Sequence, residues 1–113
     1  MTKATEAKLW YAQRISAMVL ALCVLVHLFT ILYALRGGLS AAEILARTRG
    51  NTAFALFYVV FVLSVVVHAP LGLARIAEEW LQWRGRSLQV TVALLAALLA
   101  IIGLRAVWGV YAG

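Results

Sequence analysis

Apolar and polar positions along this chain fall into three long hydrophobic runs separated by short polar connections. The runs are Ile15 to Leu35 between Arg14 and Arg36, Ala53 to Ala74 between Arg49 and Arg75, and Leu88 to Tyr111 after Arg86. Each holds about 20 residues or slightly more, which at about 1.5 Å per residue crosses the roughly 30 Å hydrocarbon layer of a bilayer. Backbone groups in that layer find no water, so such segments must satisfy themselves as helices. The pattern predicts an all-α fold, an integral membrane bundle of three transmembrane helices spanning about 15–35, 53–74 and 88–111.

The connections add detail. Between the first two runs lies Arg36-Gly37-Gly38-Leu39-Ser40-Ala41-Ala42-Glu43. The glycines end the first helix. Ser40 and Glu43 form an S-x-x-E capping box that starts a short helix reaching about Arg47. Its Leu39, Ile44 and Leu45 suit an interfacial position. The second connection, Ile76 to Ser87, is polar and carries Glu78, Glu79, Trp80, Trp83, Arg84 and Arg86.

Composition agrees. Of 113 residues, 65% are hydrophobic and 12% charged, with a mean hydropathy of +0.99, whereas a soluble domain is nearer half apolar and a quarter charged. The chain is one domain, residues 1–113, surrounded by lipid and too small to enclose a large active site, so partner subunits are expected. The net charge of +6 does not indicate nucleic acid, because the basic residues cluster at the ends of the apolar runs as membrane flanks do. The N-terminal stretch lacks the layout of a cleaved signal peptide. Cys23, the single cysteine, lies mid-helix and reads as a small packing residue. Lys3, Lys8, Arg14, Arg75, Arg84 and Arg86 share one face, against Arg36, Arg47, Arg49 and Arg105 on the other. Six positive charges against four place the N-terminus in the cytoplasm.

The candidate chemistry lies in the two histidines, His27 in the first run and His68 in the second. An imidazole in hydrocarbon is costly unless satisfied, which makes intramembrane ionisable residues functional candidates. Two of them on two helices suggest iron ligands, and haem is the cofactor most often held that way in a membrane. His27 follows Arg14 by 13 residues, roughly 20 Å in from that edge, and His68 precedes Arg75 by 7 residues, roughly 10 Å in. Axial ligands of one iron need nearly equal depth, so an offset of about 10 Å favours two stacked haems. Each would be completed by a histidine from another chain, a second copy in a homodimer or a different subunit. Pro70 permits a local bend after His68, and Gly72, one turn on, leaves a gap against which a flat macrocycle fits.

These residues resemble the membrane-anchor cytochrome b subunits of succinate dehydrogenase and fumarate reductase, over most of the chain. The strongest piece is His68-Ala69-Pro70-Leu71-Gly72 continued by Leu73-Ala74-Arg75-Ile76-Ala77-Glu78-Glu79-Trp80. In that family a haem-ligand histidine on the second helix is followed by a glycine one turn later and by an acidic residue with an aromatic neighbour. Here those positions are His68, Gly72, Glu79 and Trp80. Gln13-Arg14-Ile15-Ser16-Ala17 is similar to the family's H-R-x-S-G opening, and Val107-Trp108-Gly109-Val110 to the end of its small anchors. The chain departs from the pattern at Gln13, where the family often has histidine, and at Ala17, where it has glycine. Glu79 and Trp80 stand where aspartate and tyrosine are usual, and an indole cannot accept the hydrogen bond a phenol can. His27 resembles the helix-one histidine of the two-haem subgroup, whose anchor is one longer chain or two short ones.

The resemblance implies a haem b-containing anchor of a succinate:quinone oxidoreductase. It implies a flavoprotein that oxidises succinate or reduces fumarate, an iron–sulfur subunit, and a second anchor chain, homodimeric or paralogous. This chain has neither a cysteine set for iron–sulfur clusters nor a dinucleotide fingerprint. Its part is to dock those subunits and exchange electrons with a membrane quinone. His68 and His27 would be haem axial ligands, with Arg75 near one set of propionates and Arg36 and Arg105 near the other. Arg14 and Ser16 would donate to a quinone carbonyl, Trp80 and Trp83 would supply walls and an indole donor, and Glu79, beside Glu78, would relay protons. The expected location is the bacterial inner membrane, ahead of the mitochondrial one. The competing readings are a cytochrome b anchor of another quinone-linked oxidoreductase, such as a hydrogenase or formate dehydrogenase, and a haem-free assembly or transport protein. Two lone histidines without a mid-membrane carboxylate make transport the weaker of these.

Overall fold

A computed structural model describes residues 2–113, and among these it contains four helices and no strand. They are α1 (Lys3–Gly37), α2 (Ala41–Thr48), α3 (Thr52–Trp80) and α4 (Arg86–Ala112). α1, α3 and α4 are long and apolar enough to cross a membrane, and α2 is the short helix between the first two. The bundle measures 49 Å along its longest axis, against a hydrocarbon layer of about 30 Å, so helix ends project beyond it.

The helices outrun the apolar segments. α1 begins at Lys3, where Thr2 accepts a hydrogen bond from the Thr5 amide at 3.1 Å. Lys3 to Gln13 contains no glycine or proline and is rich in helix-forming Ala, Glu and Lys, so nothing stops the helix at the membrane edge. α3 likewise continues past Arg75. Glu78, Glu79 and Trp80, expected in the connection, ride on its last turns, and the link shortens to Leu81–Gly85. α3 also runs through Pro70 without interruption.

Gly38 ends α1 at φ 98°, and its N–H returns to the Ala34 carbonyl. A side chain is barred there twice, by the positive φ and by the Glu43 carboxylate against its α-carbon. Ser40 caps α2 by accepting from the Glu43 amide at 3.2 Å. The second half of the capping box differs from expectation, because the Glu43 carboxylate takes the Ser40 hydroxyl rather than the Ser40 amide.

α3 is the central helix. It packs against both α1 and α4, which barely touch each other. Among the described residues those that become buried are mostly small or polar: Ser16, Cys23, Ala34, Thr48, Ser64 and Ala77, with Pro70, Leu88 and Val107 as larger apolar members. Membrane helices have no hydrophobic drive to associate and pack by close approach of small side chains. At Gly103 an added Cβ would lie 2.6 Å from Val62 Cγ1, so α4 meets α3 closely there. α2 is tied to the end of α4: the Thr48 hydroxyl donates to the Val110 carbonyl at 2.8 Å and the Gly50 amide to the Tyr111 carbonyl at 2.9 Å.

Candidate functional site

Two contacts set the register between α1 and α3. Near the N-terminal end of α1, the Gln13 amide lies against Gly72, 3.5 Å from where a Cβ would stand. Fourteen residues further along α1, His27 meets Tyr58 and Phe61. On α3, His68 is ten residues beyond Tyr58 and seven beyond Phe61, hence about 10–15 Å away along the helix axis at 1.5 Å per residue. The two histidines therefore occupy separate levels, with the offset anticipated from their distances to the flanking arginines.

His27 is half-buried and has partners within the chain. Nδ1 of its imidazole is 2.7 Å from the Tyr58 hydroxyl. The Tyr58 and Phe61 rings both meet the imidazole edge to face, at 5.6 Å and 89° and at 5.5 Å and 78°. They stand nearly parallel to each other, 11° apart. Beyond His27 opens a cavity of about 700 Å³. It exists because α1 and α4 diverge on either side of α3, and α2 closes its far end. Its walls are mainly apolar, including Ile31, Phe54, Val62 and Val107, with Thr30, Arg47, Thr48 and Asn51 as polar members.

The His68 level differs. His68 is half-buried, and its Nδ1 is enclosed without a hydrogen-bond partner. Gln13 Oε1 is a second buried polar atom in the same condition. Gln13 faces Gly72, one turn from His68, so both unpaired atoms belong to one layer. The space expected to stand open beside Gly72 is taken up by the Gln13 amide. A buried unpaired polar atom costs about 1–3 kcal/mol, so these two atoms mark this layer as one that carries strain, a functional role or an ordered water or ion.

The arginines separate in a corresponding way. Arg47, which the sequence reading did not single out, lines the cavity of His27, and its guanidinium also bonds the Gly38 carbonyl. Arg36 lines a neighbouring pocket with Arg47 and Glu43 rather than that cavity. Arg105 and Arg75 are exposed on the bundle surface. Tyr58 was also not foreseen. Its signal was present as an aromatic cluster at helical spacing, Phe54, Phe57, Tyr58 and Phe61, but only the fold brings it against His27.

Of the residues assigned to a quinone, Arg14 is exposed with its guanidinium 5.0 Å above the Trp10 ring. Ser16 is buried and donates to the Gln13 carbonyl at 3.1 Å. The Trp83 indole donates to the Ser87 hydroxyl at 2.8 Å. Glu79 and Trp80 are exposed near the end of α3. Seven residues separate Glu79 from Gly72, roughly 10 Å of helix, so the chain does not by itself gather these side chains around one point.

Residues 1–104 match the family described as succinate dehydrogenase/fumarate reductase transmembrane subunit. The chain belongs to that family. No curated protein and no solved structure matches it. As a multi-pass membrane subunit of such complexes, this anchor works among partner subunits and lipid.

Proposed function

We propose that this subunit is a haem b-bearing anchor of a succinate:quinone oxidoreductase that docks the flavoprotein and iron–sulfur subunits and passes electrons to or from membrane quinone. The observation that carries the reading is the placement of its two imidazoles at separate levels, each with ring nitrogen to spare. Among the described residues no three His, Cys, Asp or Glu side chains converge. A bare metal ion is normally held by three or four protein ligands, whereas a haem iron takes one or two axial ones.

The residues at the His27 level fit a haem, whereas at the His68 level a haem would fit only with the Gln13 side chain moved aside. At the His27 level the cavity supplies an apolar chamber beside an imidazole, with Arg47 in its lining as the cation that would pair with propionates. At the His68 level His68 Nδ1 and the Gln13 side-chain Oε1 are both enclosed and unpaired within the chain. A bound haem supplies one-electron transfer through its iron. His27 and His68 would each hold a haem iron through one ring nitrogen, and a second anchor chain, identical or paralogous, would complete each site. Arg14, Ser16, Glu79, Trp80 and Trp83 are assigned to the quinone at the end of the bundle where α1 begins. Since they do not converge within this chain, that site closes only against a partner surface. The charge balance of the flanks puts this end in the cytoplasm.

The test is a dithionite-reduced minus oxidised spectrum of the purified complex with haem quantified per protomer. About one haem per protomer, of bis-histidine b type, is the expected result, because a symmetric pair of anchors shares two haems. An intact complex without a haem signal overturns the cytochrome reading.

A further inference from the structure

We propose that Tyr58 is a positioning residue for His27: it fixes the tautomer and plane of that imidazole and thereby sets the reduction potential of the iron bound at that level. The inference rests on the proposal above that His27 is an axial ligand. With Nδ1 hydrogen-bonded to the Tyr58 hydroxyl, Nε2 is the nitrogen left for the cavity. A neutral imidazole that gives the Nε2 lone pair to iron carries its proton on Nδ1, so Nδ1–H donates and the phenol oxygen accepts. The ring cannot turn freely about this bond, because Tyr58 and Phe61 both hold it edge to face.

An acceptor on the outer N–H of a ligating histidine fixes its orientation and raises its basicity. A more basic axial ligand favours the ferric over the ferrous state and lowers the potential. His68 has no such partner within the chain, since its Nδ1 is enclosed and unpaired. The subunit therefore builds two inequivalent positions, with the His27 iron tuned by its own chain.

The experiment is a potentiometric haem titration and low-temperature electron paramagnetic resonance on the purified complex, for wild type, Tyr58→Phe, Phe61→Leu and His27→Ala. His27→Ala identifies the haem wave belonging to that level by removing it. Tyr58→Phe keeps the ring packing but deletes the acceptor, and is expected to move that wave to higher potential and shift its low-spin g values, leaving the other wave in place. Selective loss of that wave also supports the proposal, since losing such a partner weakens metal-site affinity about ten- to a hundred-fold. Phe61→Leu trims the same aromatic wall without touching the hydrogen bond and is expected to move the potential much less than Tyr58→Phe does. If Tyr58→Phe moves neither wave, Tyr58 does not tune the iron, while haem ligation by His27 stands. If Phe61→Leu reproduces the Tyr58→Phe result, packing and not the hydrogen bond is responsible, and the proposal falls. If His27→Ala leaves every wave intact, His27 is no ligand and both readings fall together.

Discussion

His27 and His68 are each the lone imidazole of a long apolar helix, yet their surroundings are built differently. His27 has a hydrogen-bond partner, two perpendicular aromatic contacts and an adjoining cavity, all from within the chain. His68 has an enclosed, unpaired nitrogen, in one layer with an unpaired glutamine carbonyl. One level is nearly self-sufficient and the other is left incomplete. In a small bundle this is physically reasonable. Three helices bury little, and a polar group not satisfied inside costs stability unless water, a partner or a cofactor satisfies it.

The strongest way to break this comparison is to remove each imidazole in turn. His68→Ala and His27→Ala are each expected to take away about half of the complex's haem, read as pyridine haemochrome per protomer, if the levels are independent. Loss of all haem from either variant would instead mean a single shared site.

Gly103→Val addresses the His27 level alone. A side chain there runs into Val62, where α4 meets α3 beside the cavity. Overpacking of this kind costs about 1–3 kcal/mol. The expected result is a lower thermal midpoint of the purified complex and a perturbed spectrum for the His27 wave, with the His68 wave unchanged.

Gln13→Leu sharpens the other side. If the Gln13 side-chain Oε1 is unpaired in the assembled complex as it is in the chain, the substitution raises stability by up to about 1–3 kcal/mol. A fall in the melting midpoint would show that a partner subunit or cofactor bonds that oxygen. The smallest effect belongs to Thr48→Val. It deletes the hydroxyl that ties α2 to the Val110 carbonyl at the closed end of the cavity. Hydrogen bonds between membrane helices average about 0.6 kcal/mol, so a modest loss of thermal stability with normal haem content is expected.

Much of this was legible in one dimension. Span lengths, the capped helix between the first two spans, the glycine stop at Gly38 and the depth offset of the histidines follow from local rules, namely apolar length, turn chemistry and the fixed rise of a helix. The resemblance carried by His68, Gly72, Glu79 and the Gln13–Ser16 stretch agrees with the family match over residues 1–104. The helix ends were less legible, because helix propensity does not change where the lipid stops. Lys3 to Gln13 and Ile76 to Trp80 stay helical in water-facing sequence.

What the sequence determined by itself is the class of molecule: a three-span membrane anchor with one imidazole on each of two helices. Those properties depend on distances along the chain. Only the tertiary structure decided that Tyr58 meets Nδ1 of His27. The same holds for Arg47 lining the cavity in place of Arg36, and for the Gln13 amide filling the space beside Gly72. These depend on helix rotation and on the register of α1 against α3. Segments apolar on every side carry no pattern of faces from which rotation can be read, so the packing of small residues against one another sets it.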